Sequence, residues 1–312
     1  MRIYIQIELK NIKILRWTMK FKQFLINEQN LKELTKHYTG ALPIACYETT
    51  ILEHASGYIP LHWHDEIQLI YVLKGEAIFQ VNEEKIKLRS GDGLFINSGC
   101  LHMAEDLKKT GCVYICLNVL PHLFLPQELY TTYVLPYVQS TNLSYVLIDG
   151  SKEWSRAIQQ ALFVIRKLVQ TKEPLFEIEI TANLIKVWKQ LLVHAFQKQY
   201  VYTEEVKNQR IKAMLTWVHM NYSEKITLDD IAASGQISRS ECCRYFKRML
   251  DVTPLQYVMK YRIQKSILLL KQEEKSITDV AFEVGFNSTS YFIDQFKKMM
   301  GMTPLAYRKG KL

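Results

Sequence analysis

The chain has 312 residues, of which 48% are hydrophobic, and it carries a formal net charge of +9. This length allows two or three domains, and the apolar content is sufficient for their cores. No run of about 18 apolar residues is present, which argues against a membrane-spanning helix. The N-terminal stretch lacks the apolar core and cleavage site of a secretory signal peptide. We therefore expect a soluble, cytoplasmic protein with no membrane partner.

Residues 1–40 are predicted to form an N-terminal arm, in which apolar and charged residues alternate. Met19 lies within this arm and is an alternative start of the chain. The six cysteines show no C-x-x-C spacing, which indicates reduced, structural thiols rather than a zinc site. They are Cys46, Cys100, Cys112, Cys116, Cys242 and Cys243.

Residues 41–120 are predicted to form a small β-barrel. Segments rich in β-branched and aromatic residues alternate here with turn signals such as Ser90-Gly91-Asp92-Gly93. Short strands at this spacing are typical of β-sandwiches and barrels. The predicted strands are Ile67–Leu73, Ala77–Val81, Lys85–Leu88, Gly93–Ile96 and Gly111–Leu117.

Histidines and glycines recur within this region at a spacing that resembles the two cupin motifs. The matching residues, in order, are His62, Trp63, His64, Gln68, Gly75, Gly91, Gly99 and His102. The resemblance implies a cupin-like barrel. In catalytic cupins, two histidines, one acidic residue and a later histidine hold a transition metal. Here Gln68 stands at the acidic position, and Asn97 replaces a proline of the second motif.

Three interpretations fit these side chains. The imidazoles can be hydrogen-bonded interior residues, they can bind a metal as in three-histidine zinc sites, or they can line a pocket for a small effector. Because Gln68 supplies no charge, we predict a non-enzymatic sensor without a bound metal or cofactor. The predicted effector-binding residues are His62, Trp63, His64, Gln68, Tyr71 and His102.

Residues 121–200 are predicted to be a helical segment. Two amphipathic stripes at helical spacing are separated by Glu173-Pro174, which breaks the helix. Each stripe can simply pack on the barrel. Residues 201–206, within the polar stretch Tyr200–Asn208, are the predicted linker. The stripes are Trp154, Ile158, Ala161, Leu162, Ile165 and Leu168, and Ile180, Leu184, Val187, Trp188, Leu191 and Leu192.

The C-terminal third contains the same unit twice, as Thr227–Pro254 and Ser276–Pro304. The copies match at an offset of 49 before their turns and 50 after them, so the second turn has one extra residue. Such a repeat can indicate a helical solenoid, but two copies joined by one long helix are too few to stack. A tight turn between two short amphipathic helices indicates a helix-turn-helix instead.

Start signals support these helices. Three pairs fit the capping box, in which two side chains satisfy backbone donors reciprocally: Thr227 with Asp230, Ser238 with Glu241, and Ser276 with Asp279. Gly285 lies in the second turn, where a positive φ is often required. Together with the repeated apolar pattern, these signals predict two helix-turn-helix units.

The second helix of each unit is predicted to have an apolar inner face and a polar outer face. The inner residues are Cys242, Tyr245, Phe246 and Met249 in the first copy, and Tyr291, Phe292, Phe296 and Met299 in the second. Arginines and hydroxyls on the outer face can read base edges in the major groove, although a solvated face explains any single one. The predicted DNA-contacting residues are Arg239, Ser240, Cys243, Arg244, Lys247, Ser288, Thr289, Ser290, Ile293, Asp294 and Lys297.

Residues 207–312 resemble the DNA-binding domain of AraC/XylS-type transcription regulators. The matching motifs include Ile231-Ala232, Phe246-Lys247, Pro254-x-x-Tyr257, Val284-Gly285-Phe286 and Thr303-Pro304. The resemblance implies two helix-turn-helix units bridged by a long helix, an N-terminal sensor barrel, and a dimer contact through the helical segment. Asp294 departs from the basic or polar residue that the family often carries, so we expect the second unit to grip DNA less tightly.

The distribution of charge supports this division. From Lys207 onward the chain has 18 Lys+Arg and 10 Asp+Glu, so most of its net charge lies in the C-terminal third, as is typical of phosphate-binding domains. A membrane surface is the alternative binding partner for such a basic domain, but no lipidation motif accompanies the basic region.

The predicted fold is α+β, with an N-terminal cupin-like β-barrel, a helical dimerisation segment and a C-terminal all-α domain over residues 207–312. The predicted function is sequence-specific transcription regulation by a homodimer that binds double-stranded DNA and whose barrel senses a small-molecule effector. Activation, with RNA polymerase as a further partner, is the expected mode, and repression is the alternative. The alternative is a metal-dependent cupin enzyme, an oxygenase or isomerase, fused to a DNA-binding module.

Overall fold

The computed structural model describes residues 7–9, 12–18, 23–27, 29–37, 39, 41–54, 57–106, 108–109, 111–140, 142–196, 206–270 and 275–309. The chain divides into two compact units, Met1–Asn208 and Gln209–Leu312. The first contains antiparallel sheets and helices, and the described part of the second contains helices only, which confirms the α+β class. None of the described helices is long and apolar enough to cross a membrane.

In the described part of the first unit, the strands form three antiparallel sheets. The strands are β1 (Ile7–Leu9), β2 (Ile12–Thr18), β3 (Gln23–Asn27), β4 (Ile44–Thr50), β5 (Ile59–His62), β6 (Ile67–Lys74), β7 (Glu76–Val81), β8 (Glu84–Arg89), β9 (Gly93–Ile96), β10 (His102–Glu105), β11 (Val113–Val119) and β12 (Tyr145–Ile148). The sheet orders are β1-β2-β3, β5-β10-β7-β8 and β12-β9-β6-β11-β4. The two larger sheets share no ladder among the described residues, so the predicted barrel takes the form of two facing sheets rather than a closed ring.

The five predicted strands are confirmed to within two residues at each end, as β6, β7, β8, β9 and β11. Strands β4, β5, β10 and β12 were not predicted, nor were β1, β2 and β3 within the predicted N-terminal arm. β5 and β10 are only four residues long, too short for their alternation to be recognised. β12 lies in the range predicted as helical and pairs with β9 at the edge of the five-stranded sheet.

The five-stranded sheet is buried on both faces, and the alternation of its side chains divides them between two cores. On β6, Ile67 and Leu69 join a cluster that includes the helices, whereas Ile70 and Val72 join a cluster shared with the four-stranded sheet. The second cluster therefore lies between the two sheets. Polar side chains in that space are far from water and need internal partners.

The described α-helices of the first unit are α1 (Gln127–Tyr133), α2 (Leu135–Val138), α3 (Glu153–Thr171) and α4 (Phe176–His194). Ten of the twelve predicted stripe residues are buried, and Trp154 and Leu192 pack partly buried against the same cluster. Lys172 and Leu175, on either side of the predicted break, have positive φ angles of 49° and 66°. The stripes therefore pack α3 and α4 onto the five-stranded sheet, as the simpler interpretation expected.

The second unit contains α5 (Val206–Asn221), α6 (Leu228–Ser234), α7 (Arg239–Leu250), α8 (Pro254–Leu270), α9 (Ile277–Glu283), α10 (Thr289–Met300) and α11 (Pro304–Arg308). The pairs α6/α7 and α9/α10 are the two predicted helix-turn-helix units, and α8 is the long bridging helix. All three predicted capping boxes are present. Of the predicted linker, 201–205 lies outside the described residues, and Val206 begins α5.

The two turns reach a left-handed backbone through different residues. In the second turn Gly285 has a φ of +88°, as its position predicted, whereas in the first turn Gln236 takes the left-handed conformation with a φ of +54°. A residue with a side chain pays a strain of about 1 kcal/mol there. The backbone of the first turn is therefore more strained than that of the second.

Candidate nucleic-acid interface and buried histidine cluster

The first recognition helix, α7, separates apolar and polar side chains as predicted. Cys242, Tyr245, Phe246 and Met249 are all buried. The predicted DNA-contacting residues Arg239, Ser240, Arg244 and Lys247 are exposed, and Cys243 is half-buried. Because the buried inner face packs the helix against its unit, the exposed outer face is available to a partner.

The second recognition helix, α10, agrees with the prediction except at two positions. Phe292 and Phe296 are buried, but Tyr291 and Met299 are 50% and 39% exposed. Tyr291 lies about 100° around the helix from Phe292 and Met299 lies in the last turn, so both are outside the seam that Phe292 and Phe296 form. Of the predicted contact residues, Ser288, Ser290, Asp294 and Lys297 are exposed, and Thr289 and Ile293 are half-buried.

Ion pairs occupy several charges on these outer faces. Arg239 forms a two-pronged pair with Asp229 on α6, Lys247 Nζ lies 2.6 Å from Asp251 Oδ1, and Lys298 Nζ lies 2.9 Å from Asp294 Oδ2. Exposed pairs of this kind are screened by solvent and contribute little to stability, so a DNA phosphate can displace them. The pair with Lys298 also reduces the negative charge that Asp294 presents.

A cluster of three histidines lies buried between the two larger sheets. His62 ends β5 and stands directly opposite His102, which begins β10, while His64 follows two residues after His62. The ring centroids are 4.1 Å apart for His62 and His102, 4.9 Å for His64 and His102, and 5.7 Å for His62 and His64. One ring nitrogen of each histidine lies within 4.8 Å of a ring nitrogen of the other two.

Backbone carbonyls fix the tautomer of each ring. The Nδ1 atoms of His62, His64 and His102 lie 2.8, 3.0 and 2.9 Å from the carbonyl oxygens of Pro60, Glu66 and Cys100. Since a carbonyl oxygen only accepts, each Nδ1 carries the proton and each Nε2 is the unprotonated nitrogen of its ring. Burial, and then the neighbouring imidazoles, lower the pKa of His62 and His64 well below the ordinary range, so both are neutral at pH 7.

Gln68 belongs to the same interior network. Its Nε2 donates to Asn118 Oδ1 at 3.1 Å, and Asn118 Nδ2 lies 3.3 Å from His37 Nε2. The His37 and His64 rings have centroids 6.2 Å apart. Three of the six predicted effector-binding residues, His62, His64 and His102, therefore come together, and Gln68 is linked to them through Asn118 and His37.

Trp63 and Tyr71 are not part of this cluster. The Trp63 Nε1 donates to the Asn30 carbonyl at 2.9 Å, and Lys32 Nζ lies 5.0 Å from the centre of its ring. The Tyr71 hydroxyl accepts a bond from Gln159 of α3, and its ring faces Phe163 at 5.6 Å. Trp63 thus anchors the segment around residue 30, and Tyr71 packs against the helices.

The structure adds a buried carboxylate that the sequence analysis missed. Glu33 is 7% exposed, with Oε1 3.4 Å from His37 Nε2 and Oε2 3.8 Å from His62 Nε2. No motif spacing links Glu33 to the histidines, because it comes from the N-terminal arm. Asn118, by contrast, is a polar residue in the otherwise apolar Val113–Val119 strand, a signal that could have identified it.

Comparisons with known proteins identify both units. An AraC-like ligand binding domain matches residues 46–127, and a helix-turn-helix domain matches residues 231–310. The HTH-type transcriptional regulator YdeC of Bacillus subtilis (strain 168) is 59% identical over 288 residues, which cover 92% of this chain and 99% of YdeC. The HTH-type transcriptional activator RhaS of Pectobacterium atrosepticum is 24% identical over 255 residues, covering 80% of this chain and 87% of RhaS.

A solved transcriptional regulator with an AraC-type DNA-binding domain, from Chromobacterium violaceum, aligns with 34% of this chain and 95% of its own at 26% identity and a TM-score of 0.32. The kinship with regulators along nearly the whole length favours the regulatory function over the enzyme alternative. The chain belongs to the AraC family of transcription regulators, with an N-terminal ligand-binding domain and a C-terminal helix-turn-helix domain that binds DNA.

Proposed function

We propose that the second unit reads an operator by placing α7 and α10 in successive major-groove faces, about 34 Å apart along the DNA. The observation that carries this proposal is the exposed outer face of both helices, which combines Arg244 and Lys247 with Ser240, Ser290 and Lys297. Neither Arg244 nor Lys297 has an ionic partner among the described side chains. Arg244 is assigned to a base edge, and the lysines to phosphates.

DNA binding is expected to weaken steeply with salt, because each lysine that neutralises a phosphate releases a counterion. Titrating labelled promoter DNA at several salt concentrations gives the slope of log affinity against log salt. Lys297→Ala should make this slope shallower by about one unit. Lys172→Ala, a matched change in the first unit, should leave the slope unchanged. Salt-independent binding by the parent protein contradicts the proposed interface.

Two substitutions on α7 are expected to separate base reading from phosphate contact. Arg244→Ala should lose about 1–3 kcal/mol of discrimination at one base pair. Lys247→Ala should weaken all sequences about equally. Binding selections on a randomised operator measure both effects. A uniform loss for Arg244→Ala, with base preference intact, would rule out the role assigned to Arg244.

We propose that the small-molecule effector binds at the cluster of His62, His64, Gln68 and His102. The support is that these buried polar side chains converge in the part of the chain that matches a ligand-binding domain. Effector binding can change DNA affinity only by favouring one of two arrangements of the protein. Trp63 and Tyr71 are retained only as scaffold residues in this proposal.

We propose that α4 supplies the contact of a homodimer. Ile178, Ile185 and Val193 are 65%, 38% and 63% exposed on this helix. Exposed apolar residues on one helix face are typical of a surface that a second subunit covers. Ile185→Lys is expected to give a folded monomer in sedimentation experiments. Leu129→Lys, at an equally exposed site on α1, should leave the dimer intact. A parent protein that sediments as a monomer at micromolar concentration contradicts this proposal.

We also propose that the protein acts in the cytoplasm as an activator that contacts RNA polymerase. The support is the relative RhaS, which is named a transcriptional activator. A reporter fused to a bound promoter should lose expression when the gene is deleted. Increased expression after deletion would indicate repression instead.

A further inference from the structure

We infer that His62, His64, His102 and Glu33 form a binding site for a divalent first-row transition metal, in which the N-terminal arm supplies the carboxylate. The sequence-based expectation of no metal depended on Gln68 at the acidic position. Gln68 is hydrogen-bonded to Asn118, and Glu33 occupies the space beside His62 instead. The inference names a ligand for the proposed effector cluster, and it depends on that proposal for any regulatory meaning.

The histidines are already held as metal ligands are. In each ring Nδ1–H is engaged by a backbone carbonyl, an outer contact that fixes the tautomer and directs the Nε2 lone pair. His64 Nε2 is fully buried and has no hydrogen-bond partner among the described residues. A buried nitrogen without a partner is destabilising, which a purely structural role leaves unexplained.

The distances suit a small ion. Donor atoms around a tetrahedral ion with bonds near 2.0–2.1 Å are about 3.4 Å apart. Glu33 Oε2 lies 3.8 Å from His62 Nε2, and the histidine ligand atoms lie within 4.8 Å of one another. A shift of about 0.7 Å by each side chain closes the widest gap among the three histidines, and Glu33 approaches the set through His62. Imidazole and carboxylate donors select zinc, iron, cobalt or nickel rather than calcium.

The backbone places Glu33 at this position. Glu33 N–H donates to the Trp63 carbonyl at 2.8 Å, and Trp63 N–H donates to the Leu31 carbonyl at 3.1 Å. The Lys32 ammonium lies 2.6 Å from Asp65. These contacts hold the segment around Glu33 alongside Trp63, the residue between His62 and His64. His37, 3.4 Å from Glu33 Oε1, orients the other carboxylate oxygen.

Metal titration of the full-length protein tests the assignment. The protein is stripped with chelator, and Co2+ is then added while visible absorption and, for Zn2+, calorimetry are recorded. We expect one ion per chain, the strong visible bands of a four-coordinate Co2+ site, and a Zn2+-dependent rise in the melting temperature. Absence of stoichiometric binding overturns the site.

Variants separate the role of Glu33 from a general loss of charge. Glu33→Gln should weaken Co2+ binding at least about tenfold, whereas Glu66→Gln should change it less than about threefold. Glu66 is the matched control because its carboxylate is close to the cluster but on the other side of a ring. Its Oε2 lies 3.6 Å from His64 Nδ1, the nitrogen that donates to the Glu66 carbonyl, and not beside the Nε2 that would bind the metal. Unaltered Co2+ affinity in Glu33→Gln, with loss in His102→Gln, overturns the role of Glu33.

Two further measurements keep the outcomes distinct. Circular dichroism of each variant identifies loss of metal binding that results from misfolding, and Glu33→Asp provides a conservative replacement that should retain part of the affinity. DNA affinity is measured on the same metal-free and metal-loaded samples. Protein that binds DNA but no metal contradicts only this inference. Protein that binds metal but no DNA contradicts only the proposed operator reading.

Discussion

Gly285→Ala is expected to unfold the second helix-turn-helix and to abolish sequence-specific DNA binding. Gly285 has a φ of +88°, and a Cβ atom there would lie 2.7 Å from the Ser223 carbonyl oxygen and 2.8 Å from that of Tyr222. Both obstacles are backbone atoms, which cannot rotate away. The left-handed strain and the overlap together should lower the free energy of unfolding by about 2–5 kcal/mol. Thermal unfolding and operator titration measure the two effects.

Gly301→Ala is the matched control. Gly301 ends α10 with a φ of +76°, but a Cβ atom there would have nothing within 4 Å. Its cost is therefore limited to the left-handed backbone, about 1 kcal/mol. The variant should stay folded and bind the operator. Equal losses of stability in the two variants would show that the close approach at Gly285 contributes nothing.

The DNA-binding unit could be predicted from the sequence because its signals are local. Capping boxes, the glycine of a turn and an apolar repeat each act within a few residues, and all three boxes are found where the sequence places them. The errors at Tyr291 and Met299 have a tertiary cause. Helical spacing gives the direction of the core, but not how far along the helix the core extends.

The buried cluster was only partly predictable. Strand alternation implies that Tyr71 faces away from Gln68, three residues earlier on the same strand, so these two side chains do not line one pocket. Glu33 is different, since it meets His62 through a long-range contact that no spacing encodes. The acidic position of the motif holds Gln68, and the carboxylate beside His62 comes from a distant part of the chain.

Trp188→Ala is expected to cause the largest single loss of stability in the first unit. Trp188 is 1% exposed, and its ring centroid lies 4.6 Å from that of Phe124 and 6.3 Å from that of Phe95. Its Nε1 donates to the Tyr133 carbonyl at 2.8 Å, so the side chain joins α4 to both α1 and the five-stranded sheet. Replacing such a residue leaves a cavity and an unpaired carbonyl, which should cost about 3–5 kcal/mol.

Trp154→Ala is the control for this substitution, because Trp154 is only partly buried and stacks on His194 at 5.9 Å. It should cost about 1 kcal/mol. Far-ultraviolet circular dichroism of the full-length variants, combined with limited proteolysis, identifies the unit that unfolds. We expect Trp188→Ala to expose the first unit to protease at 37 °C while the second unit still binds DNA. Equal sensitivity of the two variants would show that α4 is held mainly by its other contacts, and the order of expected costs would then be wrong.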